Sequence, residues 1–307
     1  MLLLIKYTLL YGIVLMLVAL GGMFSEHSGV INIALEGIMV VGGLAGVLVT
    51  ASMPTTMAPA LIVLAAVVAA AVCGMLYSLL LAFASINLKA DQTIGGTALN
   101  MLATAIAMIL AKNFNGSTSA KISYTNKPFL FSIGGLELSI FIPLGIVLLV
   151  VSYIVMYKTR FGLRLRACGE HPQAADSVGI NVYKMRYAGV LISGVLGGVG
   201  GLAYTLAAGS GFNSDVGGYG FLALAVMIFG NWKPLPILAA SLFFALFKVI
   251  AALNSTLTFL PKFEGVKEIS NFYQMLPYIV TMIVLIFTSK NSQAPKAEGI
   301  PYDKGSR

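Results

Sequence analysis

The chain has 307 residues, of which 58% are hydrophobic and only 10% charged, with a formal net charge of +8 and a mean hydropathy of +0.92. Soluble globular domains carry roughly 25% charged residues, so a soluble fold is excluded and the chain reads as an integral membrane protein. Basic excess at membrane ends follows from topology, and without an RNA- or DNA-binding motif a nucleic-acid partner is excluded too.

About 20 apolar residues cross a ~30 Å hydrocarbon core, so the unit of organisation is the span. Uncharged segments run 7–25, 37–88, 92–111, 138–157, 187–214, 216–232, 234–247 and 269–289. The first follows Lys6 and ends near Ala19-Leu20-Gly21, the outline of a signal peptide; no ectodomain that would need export follows, and it is taken as a span. Next, "FSEHSGVINIALEGIMVVGG" at 24–43 sets Glu26, His27, Asn32 and Glu36 beside the longest uncharged run. That run holds two helices divided at "ASMPTTMAP", where prolines and small polar residues favour a turn. In all, eight to ten membrane segments are expected.

Between residues 158 and 186, "KTRFGLRLRACGEHPQAADSVGINVYKMR" collects Lys158, Arg160, Arg164, Arg166, Lys184 and Arg186 against only Glu170 and Asp176, which places this loop in the cytoplasm. Counting spans outward from it puts 51–59 and 113–137 outside, and "NLKAD" at 87–91, "NWKP" at 231–234 and the basic tail "KNSQAPKAEGIPYDKGSR" at 290–307 inside. Residues 24–36 then fall near the cytoplasmic side unless they form a re-entrant turn. Lys248 reads as a side chain snorkelling from a helix end to the outer interface.

Catalytic chemistry is poorly represented. The sequence has no phosphate-binding loop, no H-E-x-x-H, no C-x-x-C and no G-x-S-x-G. Its two histidines, His27 and His171, and two distant cysteines, Cys73 and Cys168, support neither a metal cluster nor a disulfide framework. Transport, channel activity or a membrane scaffold remain.

Glycines separate these. Gly194 with Gly198, Gly197 with Gly201, and Gly42 with Gly46 have the small-xxx-small spacing that lets helix backbones approach. "GVINIALEGIMVVGGLAG" in the first half and "GGYGFLALAVMIFGNWKP" in the second each read as a polar turn, a glycine, a short apolar half-helix and another break. Paired interrupted segments point to an inverted repeat with a pathway between its halves, since irregular backbone survives at membrane depth only against protein or a water-filled cavity. Asn32 and Glu36 at the first break mirror Asp215 and Tyr219 at the second, and with Asn100 these polar residues are the pathway candidates. Glu26 and His27 fall at the hydrated cytoplasmic interface.

"SGVINIALEG" near the start, "GEHPQAADSVGI" in the middle and "GYGFLALAVMIFGNWKPLPILAASLFFALF" near the end occur in that order. Together they resemble permease subunits of ABC importers for branched-chain amino acids, ribose-type sugars and nucleosides. The short length and "FGNWKPL" are most similar to the smaller permease of nucleoside, or simple-sugar-type, systems. The resemblance implies an all-α polytopic permease domain over 1–289 with two interrupted or re-entrant helices, a cytoplasmic coupling loop at 158–186 and a cytoplasmic tail at 290–307.

It further implies a bacterial plasma membrane location and a heterodimer with a second, longer permease. The other partners would be a cytoplasmic ABC ATPase and an extracytoplasmic substrate-binding lipoprotein. ATP would be used only by the ATPase, so this chain would be no enzyme and would bind no cofactor or metal. By the same resemblance Arg166, Gly169, Glu170, Ala174, Ala175, Asp176 and Gly179 form the ATPase-coupling surface, with small residues on one face and Glu170 placed to pair with a basic or amide group of the ATPase. Nucleosides are the expected solute, with simple sugars or branched-chain amino acids as the alternative; an ion-coupled secondary transporter is the alternative of a different class.

Overall fold

The computed structural model describes residues 2–54, 56–116, 119–133, 136–209, 211–253, 275–277, 279–283, 286 and 293–305. Among these, seven helices are long and apolar enough to cross a membrane: α1 (Leu2–Glu26), α2 (Leu35–Ser52), α3 (Pro59–Ala82), α4 (Gln92–Asn115), α5 (Phe141–Lys158), α8 (Val182–Ala208) and α10 (Pro234–Ala252). Two short helices, α6 (Arg160–Glu170) and α7 (Pro172–Ser177), form the basic loop, and α9 (Tyr219–Phe229) is an apolar half-helix. The last expected span, 272–289, lies largely outside the described residues.

Apolar composition alone does not say which helices sit inside. Of the span windows, 72% of α8 and 67% of α2 are buried, against 22% of α4 and 28% of α3. The central three are therefore α8, α2 and α1, whose Ile13–Leu20 stretch is wholly buried; α3, α4, α5 and α10 surround them. The outer helices expose large side chains such as Leu64, Val68, Leu76, Met101, Ile109 and Val147, a surface compatible only with hydrocarbon or another subunit.

Glycine makes the central packing possible. A Cβ on Gly42 would lie 2.3 Å from the Gly198 Cα, one on Gly74 would lie 2.4 Å from the Gly194 oxygen, and one on Gly201 would meet the Met39 oxygen at 2.0 Å. Backbone thus rests directly on backbone where α2, α3 and α8 cross.

Helix ends follow local chemistry. Asp91 caps α4 by accepting from Thr93 N and Ile94 N at 2.9 Å each, and Asn181 caps α8 by accepting from Lys184 N at 3.0 Å. Gly116 and Gly209 close α4 and α8 in the left-handed conformation. The all-α expectation needs one addition: between α4 and α5, Leu130–Ile133 and Leu136–Ser139 form an antiparallel hairpin, β1 and β2.

Candidate functional site

Two breaks bring two helix N-termini together. The chain leaves α1, turns on hydrogen bonds around Ser25 and Ser28, and runs irregularly to the start of α2. Leaving α8, it returns through 211–218 to the start of α9. Eleven residues at ~1.5 Å rise make α9 about 16 Å long, half of a ~30 Å core. It is therefore too short to cross that core by itself.

Glu36 joins the two breaks. Its Oε1 accepts from Gly218 N at 2.8 Å and its Oε2 from Gly220 N at 2.6 Å, so a side chain of α2 caps α9 where no residue of its own does. An N-terminus carries partial positive charge and unpaired N–H groups, and a carboxyl answers both. The fit requires glycine: a Cβ on Gly220 would stand 2.4 Å from Glu36 N, and Gly218 has φ +76°. Asn100 on α4 accepts from Gly37 N at 2.7 Å and donates to Ile33 O at 2.9 Å, bridging the first break. Gln92 accepts from Ile31 N at 2.7 Å, and Asn32 donates to Ser193 Oγ at 2.8 Å. Buried irregular backbone is thereby satisfied from α4, and the Asn32 side chain is tied to α8.

Beside the α9 N-terminus lies a tyrosine cluster. The Tyr219 ring lies tilted against Tyr204 at 4.5 Å and Tyr11 at 5.6 Å between centres, and Tyr7 stacks on Tyr11 one turn away at 6.2 Å. The Lys248 ammonium sits 5.1 Å from the Tyr219 ring centre. Asp215, exposed on the loop before α9, accepts from Gly217 N.

At the other end of α9, Trp232 donates its indole N–H to Glu26 at 2.6 Å, and its carbonyl accepts from His27 Nε2 at 3.0 Å. Burial holds the His27 imidazole below its usual range although that bond favours the charged form. The α6–α7 loop abuts this point: a Cβ on Gly169 would meet His27 O at 2.4 Å. Residues 293–305 then lie across the loop, with Ala297 N donating to Gly169 O at 2.8 Å.

The sequence profile described as "Branched-chain amino acid transport system / permease component" matches residues 4–288. The chain belongs to this permease family. It is similar to the nucleoside ABC transporter permease NupC of Lactococcus lactis, 43% identical over 311 residues that cover 96% of this chain and 95% of NupC. It is also similar to the guanosine ABC transporter permease NupQ of Bacillus subtilis, 42% identical over 316 residues covering 98% and 96%. A shorter likeness, 32% over 113 residues covering 35% and 30%, is to the permease NupB of Lactococcus lactis. The permease is thus a multi-pass membrane subunit of an ABC transporter, a family that implies separate ATPase and substrate-binding partners. The ion-coupled alternative falls.

Among the expected pathway residues of the permease, Glu36, Tyr219 and Asp215 converge on the α9 N-terminus, whereas Asn32 and Asn100 are buried and engaged in holding the first break. Of the expected coupling residues, Glu170, Ala174 and Gly179 are exposed, Asp176 and Arg166 half-buried, and Gly169 and Ala175 buried. Small residues therefore occupy both faces, not one: Gly169 and Ala175 let the loop settle on the bundle, while Ala174 and Gly179 leave its outer face low. The Arg166 guanidinium lies over the Tyr157 ring at 4.9 Å. The Lys248 ammonium rests over the Tyr219 ring, a favourable partner for a cation. Sequence reasoning missed Tyr11 and Tyr204, for which the four-residue spacing of Tyr7 and Tyr11 was the available signal, and Val178, 75% exposed at the end of α7.

Proposed function

We propose that this chain is the nucleoside-translocating permease of an ATP-driven importer in a bacterial plasma membrane. It pairs with a second, longer permease and works with a cytoplasmic ABC ATPase and an extracytoplasmic binding lipoprotein. The observation that carries the substrate class is the cluster of Tyr11, Tyr204 and Tyr219 beside the Glu36-capped α9 terminus. Aromatic faces stack on nucleobases at about 1–3 kcal/mol per base, and Lys248 and Asp215 offer polar partners for a ribose. Kinship with NupC and NupQ supports the same reading.

Mechanically, a continuous path joins the two ends. ATP-driven closure of the ATPase pushes on α6 and α7; Gly169 rests on His27, which is bonded to Trp232 at the foot of α9; the head of α9 is held by Glu36. A rigid half-helix of about 16 Å transmits displacement from the cytoplasmic face to the tyrosines, provided ATP favours one of the two arrangements. In competition uptake with the assembled transporter, unlabelled nucleosides should block guanosine entry, and ribose or leucine should not. Tyr219→Ala should raise KM about tenfold, the loss of roughly one stacking contact. Inhibition by ribose or leucine with nucleosides inert would overturn the substrate assignment.

A further inference from the structure

Residues 293–305 are fixed to four separate parts of the cytoplasmic face. Gln293 N donates to Asn231 Oδ1 at 2.8 Å, Ala297 N to Gly169 O at 2.8 Å and Gly299 N to Gly29 O at 3.3 Å. Ile300 O accepts from Arg186 Nη1 at 2.9 Å. Beyond these, Tyr302 is 4% exposed, packed with Cys168, Ala175 and Val182, and edge-on to Tyr183 at 5.4 Å. Lys89 pairs with Asp303 at 2.9 Å. A solvated tail has no reason to satisfy its backbone this way, and its ordering costs entropy that such contacts must offset.

Fixing the segment creates a groove. Ala174, Asp176 and Ser177 of α7 form one wall, Tyr302, Asp303 and Lys304 the other, enclosing about 590 Å³. Lys304 reaches across toward Asp176 at 3.9 Å, and exposed Val178 stands at the α7 lip. Both walls carry charged and hydroxyl groups among apolar surface, a mixture that suits a protein surface better than acyl chains. An apolar knob beside a charged rim is the make-up of a protein interface. The groove is continuous with the outer face of the coupling loop and lies on the side from which the ATPase acts.

We propose that the ATPase subunit docks into this composite groove, so that residues 302–304 contribute directly to the coupling interface and the ATPase grips α7 and the tail as one unit. The inference rests on α6 and α7 being the ATPase-facing segment. It also assigns the anchors a purpose: Arg186, Gly169 and Gly29 hold the second wall at the correct distance from the first.

Single cysteines at Ser177 and at Lys304, with Cys73 and Cys168 replaced by serine, would be treated with a short bifunctional maleimide in the complete transporter. Both positions should cross-link to the ATPase. A cross-link from S177C alone would overturn the composite groove and leave the coupling loop intact as the docking site. Failure of both would remove the coupling reading and the groove with it. A cross-link from K304C to a permease subunit, or labelling of K304C only by a lipid-soluble maleimide, would overturn the proposal in favour of a subunit contact or a buried tail. As a functional check, Lys304→Glu should lower uptake about tenfold at unchanged membrane abundance, by reversing a rim charge. Wild-type uptake in that variant would likewise refute it.

Discussion

Replacing Glu36 separates a helix cap from a solute ligand. Both carboxyl oxygens are used, on Gly218 N and Gly220 N, and the side chain is only 9% exposed. A buried donor left unpaired costs about 1–3 kcal/mol. Glu36→Ala strands two, about 2–6 kcal/mol, a large part of a typical stability of about 5–15 kcal/mol. Glu36→Gln keeps one carbonyl acceptor and should lose about half as much. The single tryptophan, Trp232, is 4% exposed at the foot of the same half-helix and reports unfolding by its fluorescence. Detergent-solubilised variants titrated with denaturant should therefore fall in the order wild type, Gln, Ala, with uptake of every nucleoside declining in parallel. A solute ligand predicts another pattern: KM rises selectively while the unfolding midpoint stays put. An Ala variant as stable as wild type would refute the capping role.

Glu170, exposed at the end of α6, should when changed to alanine abolish substrate-stimulated ATPase activity while membrane insertion stays normal; wild-type uptake would sink its coupling role. Gly42→Leu meets backbone rather than a movable side chain, so α2 and α8 must separate, and loss of monodisperse protein on size exclusion is expected from overpacking of about 1–3 kcal/mol or more. Burial pushes the Glu298 carboxyl up to about 6, although its hydrogen bond with Glu26 acts the other way. A raised value means that the docked tail favours the protonated acid, so this contribution is full below the ordinary carboxylate range and fades as pH rises through about 6. Proteolysis of the tail at Lys296, compared at each pH with Glu298→Gln as reference, should accelerate over that interval, and a flat ratio would exclude it.

The membrane-spanning helices were legible because hydrocarbon imposes a single requirement on length and polarity. Breaks were legible for the same reason: polar and glycine-rich interruptions at 28–37 and 209–218 have no other place at membrane depth. Burial was not, since α3 and α8 are both apolar yet differ greatly in how much of each is buried. The hairpin of β1 and β2 was overlooked although Gly134-Gly135 between short alternating runs is a turn signal; a search for spans passes over it. In the sequence the tail shows only its basic character, because Gly299, at φ +75°, and Tyr302 show their value only against Gly29 and Cys168.

The candidate site divides along a physical line. Asn32, Glu36 and Asn100 were recognisable as costly polar groups in an apolar setting, but cost does not say what offsets it. Glu36 answers a helix terminus more than 180 residues away in the chain, and Asn100 answers the backbone of a break on another helix. Tyrosines carry no such cost in an apolar span, so Tyr204 is inconspicuous in the sequence and Tyr11 has only its four-residue spacing from Tyr7 to mark it. They become informative only once α1, α8 and α9 converge. In this permease the residues most conspicuous in the sequence hold the broken helices in place, and the less conspicuous aromatic ones form the surface proposed to stack on a base. Substitutions at the first group should accordingly act on stability and on all solutes alike, and those at the second on KM and on the choice among nucleosides.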